Sequence, residues 1–119
     1  MSTVLTLSDL DSSTQTSITK PRISSVVVMT DGTFTTVNNS TTISPSYGNY
    51  VKILGSGFTN NEQIFIRSIG SKGANLAPLI NYVNSTQVNC LLPPSSAGTK
   101  MLYVVNNTGY TAITIITYQ

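Results

Sequence analysis

The stretch YVKILGSGFTNNEQIFIRS, residues 50–68, decides between two classes of fold. Two apolar runs flank the break Gly55-Ser56-Gly57. A phosphate-binding loop would require either a third glycine or a Gly-Lys-Ser/Thr sequence, and then a helix. Asn60 stands where the third glycine of a dinucleotide fingerprint belongs, and residues 63–67 alternate as a β-strand does. The break therefore predicts a corner between two strands, at which Phe58 folds back into the core.

The rest of the chain continues this pattern of short strands. Apolar runs of strand length are separated by Gly, Pro and Asn, and no window shows sustained 3.6-residue spacing. The Asn107-Thr108-Gly109 turn predicts a hairpin between the last two strands. The pattern as a whole predicts an all-β sandwich or barrel of about seven short strands. The candidate runs, of which 34–37 is the shortest, are 21–29, 34–37, 49–54, 63–69, 76–83, 87–92, 100–106 and 110–118.

Composition excludes several classes of protein. The chain has 119 residues, 39% of them hydrophobic, which suits one domain with a modest core. Only 8% are charged, and the six Lys and Arg residues are scattered, so we expect no nucleic-acid partner. Arg67, Lys72 and Lys100 are interpreted as solubilising surface. No apolar run approaches the length of a membrane span, so we expect no membrane partner.

Catalytic chemistry is not expected. The chain has no His, which removes the usual general base and the commonest metal ligand. Its four acids are Asp9, Asp11, Asp31 and Glu62, and they offer no convincing catalytic pair. Cys90 is interpreted as a small buried apolar residue. We therefore predict a protein that is not an enzyme, with no catalytic residues, no cofactor and no metal site.

Residues 1–19 differ in composition from the rest of the chain and are predicted to form an extended N-terminal arm. Its apolar residues Val4, Leu5, Leu7 and Leu10 are candidate docking positions on a partner protein. The sequence lacks the basic and apolar regions of a signal peptide, so we expect synthesis in a cytoplasm without export.

Several segments, in order, resemble one family. The corner Val51–Phe58 resembles the G-x-G-F corner of IPT/TIG domains, and Lys20–Val26 is similar to their opening strand. Asn84–Pro93 resembles the family's s-x-t-x-i-x-c-x-x-P segment, and Gly98–Gly109 its closing hairpin. The resemblance covers about residues 20–119 and implies an immunoglobulin-like β-sandwich, with Gly55, Gly57 and Phe58 as its defining corner.

The resemblance leaves several functions open, because IPT/TIG domains occur in receptors, transcription factors, accessory modules of enzymes and phage structural proteins. A small domain with few charges, no signal peptide and an apolar-tipped arm is most similar to a phage capsid decoration or cement protein. It would dock on the major capsid protein of the virion through its arm and strand edges. Those edges also suit pairing between copies in a homo-oligomer.

Two alternatives stay open. One is a tail or fibre adhesin, or a glycan-binding module, whose loops at one end of the sandwich present Tyr47 and Tyr110 for stacking on sugar rings. The other is an internal component of the tail or neck, which the sequence does not separate from a capsid protein.

Overall fold

The described part of the chain consists of β-strands in two sheets. The structure, a computed structural model, describes residues 20–38 and 42–119. All strand pairs within the sheets are antiparallel. None of the described residues forms a helix that could span a membrane. The strands are β1 (Arg22–Val28), β2 (Asn49–Ser56), β3 (Gln63–Ser68), β4 (Asn75–Leu76), β5 (Leu79–Asn84), β6 (Gln87–Leu92), β7 (Gly98–Val105) and β8 (Thr111–Tyr118).

The strand order is that of a two-layer sandwich. The first sheet has the order β1-β2-β6-β5, and the second has the order β4-β3-β7-β8. The predicted all-β, immunoglobulin-like sandwich is confirmed, with eight strands in place of about seven. The additional strand arises because the predicted run 76–83 divides at Ala77-Pro78, where the chain crosses from the second sheet to the first. The amide of the buried Ala77 donates to the Ile64 carbonyl at 2.8 Å and holds this crossing.

The run 34–37 does not form the predicted strand. Thr33 donates its backbone N–H to the Asp31 carboxylate at 2.9 Å, and the chain then turns sharply. Phe34 adopts a left-handed φ of 56° and packs edge-on against Tyr50, with the ring centroids 5.7 Å apart. Val37 alone pairs, as an isolated bridge to Met29. The turn that buries the Phe34 ring takes most residues of this run out of extended conformation. The remaining residues are too few to pair as a β-strand.

The core lies between the sheets and follows the alternation of the strands. Val51 and Ile53 of β2 point inward with no exposed surface, whereas Tyr50, Lys52 and Leu54 point outward. This is the division that the sequence predicts, because successive side chains of a strand point to opposite faces. The same rule places these further residues in the core: Ile64, Ile66, Val88, Cys90, Leu92, Leu102, Val104, Ile116 and Tyr118.

The predicted hairpin between the last two strands is confirmed. β7 and β8 pair over their whole length, from Gly98 opposite Tyr118 to Val105 opposite Thr111. Asn106 organises the connecting turn, since its side-chain oxygen accepts hydrogen bonds from the backbone amides of Thr108 and Tyr110, each at 3.1 Å.

The glycine break is a corner at which two backbones approach closely. A side-chain carbon added to Gly55 would lie 1.8 Å from the carbonyl oxygen of Arg22, and one added to Gly57 would lie 2.3 Å from that of Lys20. Gly57 also has a φ of +74°, which strains any other L residue. Phe58 follows with 2% of its surface exposed and donates its amide to the Ser85 carbonyl at 3.0 Å. The glycines therefore let the backbone at the start of β1 approach the end of β2, its neighbour in the sheet, unusually closely.

We expect Gly55→Ala to lower the free energy of unfolding by about 1–3 kcal/mol, because the added methyl meets rigid backbone of β1. Gly73→Ala is the matched control. A side-chain carbon there has only the Ser71 hydroxyl within reach, at 3.9 Å, and should change stability by less than about 0.5 kcal/mol. Urea unfolding followed by intrinsic tyrosine fluorescence measures both. Equal stability of the two variants would contradict the close approach of β1 to the corner.

Candidate functional site

The outward face of the second sheet is unusually apolar. In the register of this sheet, Leu76, Phe65, Tyr103 and Ile113 lie opposite one another in one row across all four strands. Leu76 is 64% exposed and Ile113 is 55% exposed, and the rings of Phe65 and Tyr103 stack at 4.7 Å between them. The neighbouring row adds Met101 and Ile115. We name this surface the apolar sheet face and define it as Phe65, Leu76, Met101, Tyr103, Ile113 and Ile115.

One cation borders the apolar sheet face. The guanidinium of Arg67 lies 5.3 Å from the centre of the Tyr103 ring and donates to the Tyr103 hydroxyl at 2.6 Å. Its Nε is buried and has no hydrogen-bond partner among the described residues. A cation held over an aromatic ring in this way is fixed in orientation.

The opposite face of the sandwich has a different character. In the first sheet, Lys52, Asn89 and Asn81 lie opposite one another and form a polar row over three strands, which Val27 of β1 continues at the edge. The Gln87 amide donates to Asn89 at 2.9 Å and ties this row to the neighbouring one. No such polar row interrupts the apolar sheet face, and contiguous exposed apolar surface is typical of docking sites on soluble proteins.

The loop before β2 presents Tyr47 beside a small cavity. The Tyr47 side chain is 63% exposed and lines a cavity of about 250 Å³ together with Ser44, Asn49 and Tyr50. Asn49 is buried and fixes this loop, because its side-chain NH2 donates to the carbonyls of Ser44 and Tyr47 at 2.8 and 3.0 Å.

Tyr110 lies at the other end of the sandwich. It precedes β8 and is 37% exposed, and the Lys20 ammonium lies 5.6 Å from the centre of its ring. Tyr47 and Tyr110 are thus separated by about the length of a seven- or eight-residue strand, roughly 25 Å. The expectation that both tyrosines stand in loops at one end is wrong, because the loop before β2 and the β7–β8 turn lie at opposite ends of the strands.

A family model matches most of the chain. The model of the IPT/TIG domain matches residues 32–119. The chain belongs to the IPT/TIG domain family. The match begins in the loop after β1, so β1 lies outside it. Comparison with curated proteins and comparison with solved structures each found no significant match. IPT/TIG domains are immunoglobulin-like modules that mediate protein–protein interactions and are in general not catalytic.

The apolar sheet face of this IPT/TIG domain was not found by reading the sequence. The signal is present, because β3, β7 and β8 carry apolar residues on both alternating faces, as in Ile113 and Ile115 beside Ala112 and Ile116. An ordinary half-exposed strand alternates apolar with polar residues. The candidate docking residues Val4, Leu5, Leu7 and Leu10 lie outside the described residues and stay predictions.

The cations of the IPT/TIG domain are not the uniform solubilising surface that the sequence suggested. Lys100 is buried, with 2% of its surface exposed, and its ammonium donates to the hydroxyls of Ser68 and Ser96 at 2.7 and 2.9 Å. Arg67 stacks on Tyr103, and Lys72 is exposed in the turn after β3.

The state of one thiol bears on catalysis, and the spacing of possible ligands bears on metal binding. Cys90 is fully buried, and burial raises the pKa of its thiol to about 12, so it is a poor nucleophile. Among residues 20–38 and 42–119, no three His, Cys, Asp or Glu side chains lie together as metal ligands.

Glu62, one of the four acids in the sequence, is buried, which the sequence did not predict. It lies at the corner just before β3, with 6% of its surface exposed. One carboxylate oxygen accepts from the Thr59 amide at 3.0 Å, and the other is buried without a partner in the described residues. Burial raises the pKa of this carboxyl to about 7, and the Thr59 hydrogen bond partly opposes the shift. The charged form is therefore destabilised in the folded state.

We expect the stability of the domain to fall as pH rises from 4.5 to about 7. Over that interval the unfolded chain loses the Glu62 proton and the folded chain keeps it, so the proton stabilises the fold fully only below the unfolded pKa. Glu62→Gln should remove this fall and, at pH 8, raise the free energy of unfolding by about 1–2 kcal/mol. The urea midpoints of the parent protein and of Glu62→Gln at pH 5 and pH 8 measure this change in stability.

Asp31→Asn is the control of opposite sign. The Thr33 hydroxyl and amide lower the pKa of the Asp31 carboxyl, so this carboxylate stabilises the fold when ionised. Asp31→Asn should lose stability at pH 8, where Glu62→Gln gains it. A loss of stability in both variants at pH 8 would contradict the assignment for Glu62.

Proposed function

We propose that this chain is a structural protein of a bacteriophage virion, a decoration or cement protein that docks on the major capsid protein. It acts without catalysis, and its site of action is the particle, after synthesis in the host cytoplasm. Its IPT/TIG domain supplies the interaction surface, and residues 1–19 and the strand edges supply further contacts. Neither nucleic acid nor membrane is a partner, and copies of the chain associate with one another.

The observation that carries this proposal is the apolar sheet face. A domain that stays free in solution usually exposes polar and charged residues on its surface. Here Phe65, Tyr103 and Ile113 cover the centre of one face, and Arg67 lies at its border. Aromatic residues and Arg are the types most enriched where protein interfaces gain their affinity. A chain with 8% charged residues also has little electrostatic repulsion between neighbouring copies, which suits dense packing on a shell.

Copy number tests the location. Particles sedimented from the native source are analysed by quantitative mass spectrometry against the major capsid protein. A decoration protein is expected on the order of hundreds of copies per particle, because the contact repeats with the symmetry of the shell. A few to a few tens of copies would overturn the capsid assignment in favour of a tail or neck. Absence from every large particle would overturn the virion proposal altogether.

Leu76→Lys tests the docking face on particles that lack the protein. A lysine in the apolar row should weaken attachment at least about tenfold, because a charge would be buried at the contact. Leu79→Lys is the matched control, since Leu79 is 48% exposed on the first sheet, and it should bind within about twofold of the parent. Equal binding by the two variants would exclude the apolar sheet face as the docking surface. Thermal unfolding verifies that both remain folded.

The alternative function, a tail or fibre adhesin that binds glycans, is favoured by one observation. Tyr47 presents an exposed ring beside the 250 Å³ cavity, which is lined by hydroxyl and amide groups. Stacking on an aromatic ring with hydrogen bonds around it is the usual chemistry of sugar recognition.

If this alternative holds, Tyr47→Ala should abolish binding to a glycan array, whereas Tyr110→Ala should leave it unchanged, because Tyr110 lies at the opposite end of the sandwich. Equal loss in both variants, or no array signal from the parent protein, would contradict a glycan site at Tyr47.

A further inference from the structure

The four edge strands of the sandwich are not protected alike. β1 begins after Pro21 and has a register shift at Ser24, and β5 has a register shift between Tyr82 and Asn84. β4 has only two residues. Prolines, bulges and short length are the usual means by which an edge strand avoids pairing with another chain. β8 has none of them, since its eight residues TAITIITY contain no proline and no charge and pair with β7 in unbroken register.

The outer edge of β8 is open along most of its length. Ile43 covers its end through a bridge to Tyr118. In the described residues, no strand pairs with the outer edge from Thr111 to Ile115. Alternate residues of a strand direct their N–H and C=O groups away from the paired neighbour, so this edge offers a template for one more strand.

A cleft lies beside this open edge. It has a volume of about 570 Å³ and separates the start of β8 from β1, with Ala112 and Ile113 on one side and Arg22 and Ser24 on the other. That volume is within the range of roughly 300–1,000 Å³ that is typical of ligand clefts. The Arg22 side chain is exposed and places a positive charge at the end where β8 begins.

Residues 1–19 have the composition that this cleft would accept. Their only charged side chains are Asp9 and Asp11, whereas residues 20–119 contain all six Lys and Arg residues and only two acids. The two parts therefore have side-chain charges of −2 and +4. Leu5 and Leu7 alternate with Thr6 and Ser8, which is the pattern of a strand with one apolar face.

We propose that residues 4–10 of a second copy of this chain pair with the open edge of β8 as an added antiparallel strand. This direction places Asp9 and Asp11 next to Arg22, where opposite charges attract. With Leu7 opposite Ile113 and Leu5 opposite Ile115, the two leucines extend the rows of the apolar sheet face by one strand. The inference deepens the proposed function by naming the partner of the strand edge, and it rests on the docking role given there to the N-terminal residues.

The donor is a second copy because pairing within one chain would require residues 11–19 to reverse the direction of the chain, whereas pairing with a second copy requires no reversal. Lys20 precedes Pro21 and is therefore restricted to extended conformations. Residues 11–19 contain no Gly or Pro, and their residues compatible with turns are Asp11 and three serines. Nine extended residues reach about 30 Å, which is longer than a strand of this sandwich. Donation from copy to copy is head-to-tail and closes into a ring when the rotation permits.

Disulfide trapping on the full-length chain tests the pairing. Leu7→Cys and Ile113→Cys are made as separate single variants, distinguished by mass tags, and mixed under oxidising conditions. The buried Cys90 has no exposed surface to compete. The proposal expects a disulfide between the two variants, at least about tenfold above that from a Leu7→Cys and Val83→Cys mixture, because directly opposite residues meet the distance that a disulfide requires.

Several results would overturn the proposal. A double variant, Leu7→Cys with Ile113→Cys, that forms the disulfide within one chain while the mixed single variants form none would show that the segment pairs with its own β8. Association without the Leu7–Ile113 disulfide would show that another surface joins the copies. A monomeric mass at every concentration in sedimentation equilibrium would exclude pairing between copies.

Charge reversal gives a second readout by sedimentation. Arg22→Glu should raise the dissociation constant between copies about tenfold, and Asp9→Arg with Asp11→Arg should restore it, because the partners would again have opposite charges. Lys72→Glu makes the same charge change in an exposed turn and should have no effect. Failure of the restoring pair would overturn the placement of Asp9 and Asp11 beside Arg22.

The two levels of the proposal fail separately. Trapped dimers from a protein absent from particles would leave the pairing valid and overturn the virion role. Hundreds of copies per particle without the disulfide would support the virion role and overturn the pairing.

Discussion

At the glycine corner, the backbone of β1 lies against the backbone of Gly55 and Gly57. This contact sets the position of β1 and of the cleft between β1 and β8. The carbonyl oxygens of Lys20 and Arg22 occupy the space where Gly55 and Gly57 would otherwise carry side chains. Because β1 starts there, Phe58 closes the end of the core and the cleft between β1 and β8 acquires one of its walls. A bulkier corner would displace β1, and the arrangement of charge and apolar surface around β8 would change with it.

The two outward faces of the sandwich differ in polarity. In the polar row on the first sheet Asn81 is exposed and Asn89 is buried, with 6% of its surface exposed. Burial of the row from Leu76 to Ile113 would release water from four strands at once. Arg67 places one oriented positive charge beside the apolar sheet face, because its guanidinium is held against Tyr103. An oriented charge makes binding to such a face more specific. This asymmetry is the reason for considering one face of this IPT/TIG domain as an interface and the other as exterior.

Much of the fold follows from local chemistry, and much of the site does not. The corner at Gly55, the alternation of β2 and the turn at Asn106 each depend on residues close together in the chain, so sequence patterns predict them. The apolar row depends on the register of β3, β7 and β8, which brings Phe65, Tyr103 and Ile113 together from distant segments. The buried Lys100 has the same cause, because Ser68 and Ser96 surround it only after folding.

The described chain enters and leaves the sandwich at opposite ends. Lys20 lies over Tyr110 beside the start of β8, whereas the Gln119 amide donates to the Ile43 carbonyl at 2.9 Å beyond the end of the same strand. About 27 Å of strand separates these points, because each of eight residues advances the chain by roughly 3.4 Å. A peptide or domain genetically fused after Gln119 would therefore emerge at the end of the sandwich farthest from Lys20 and the start of β8.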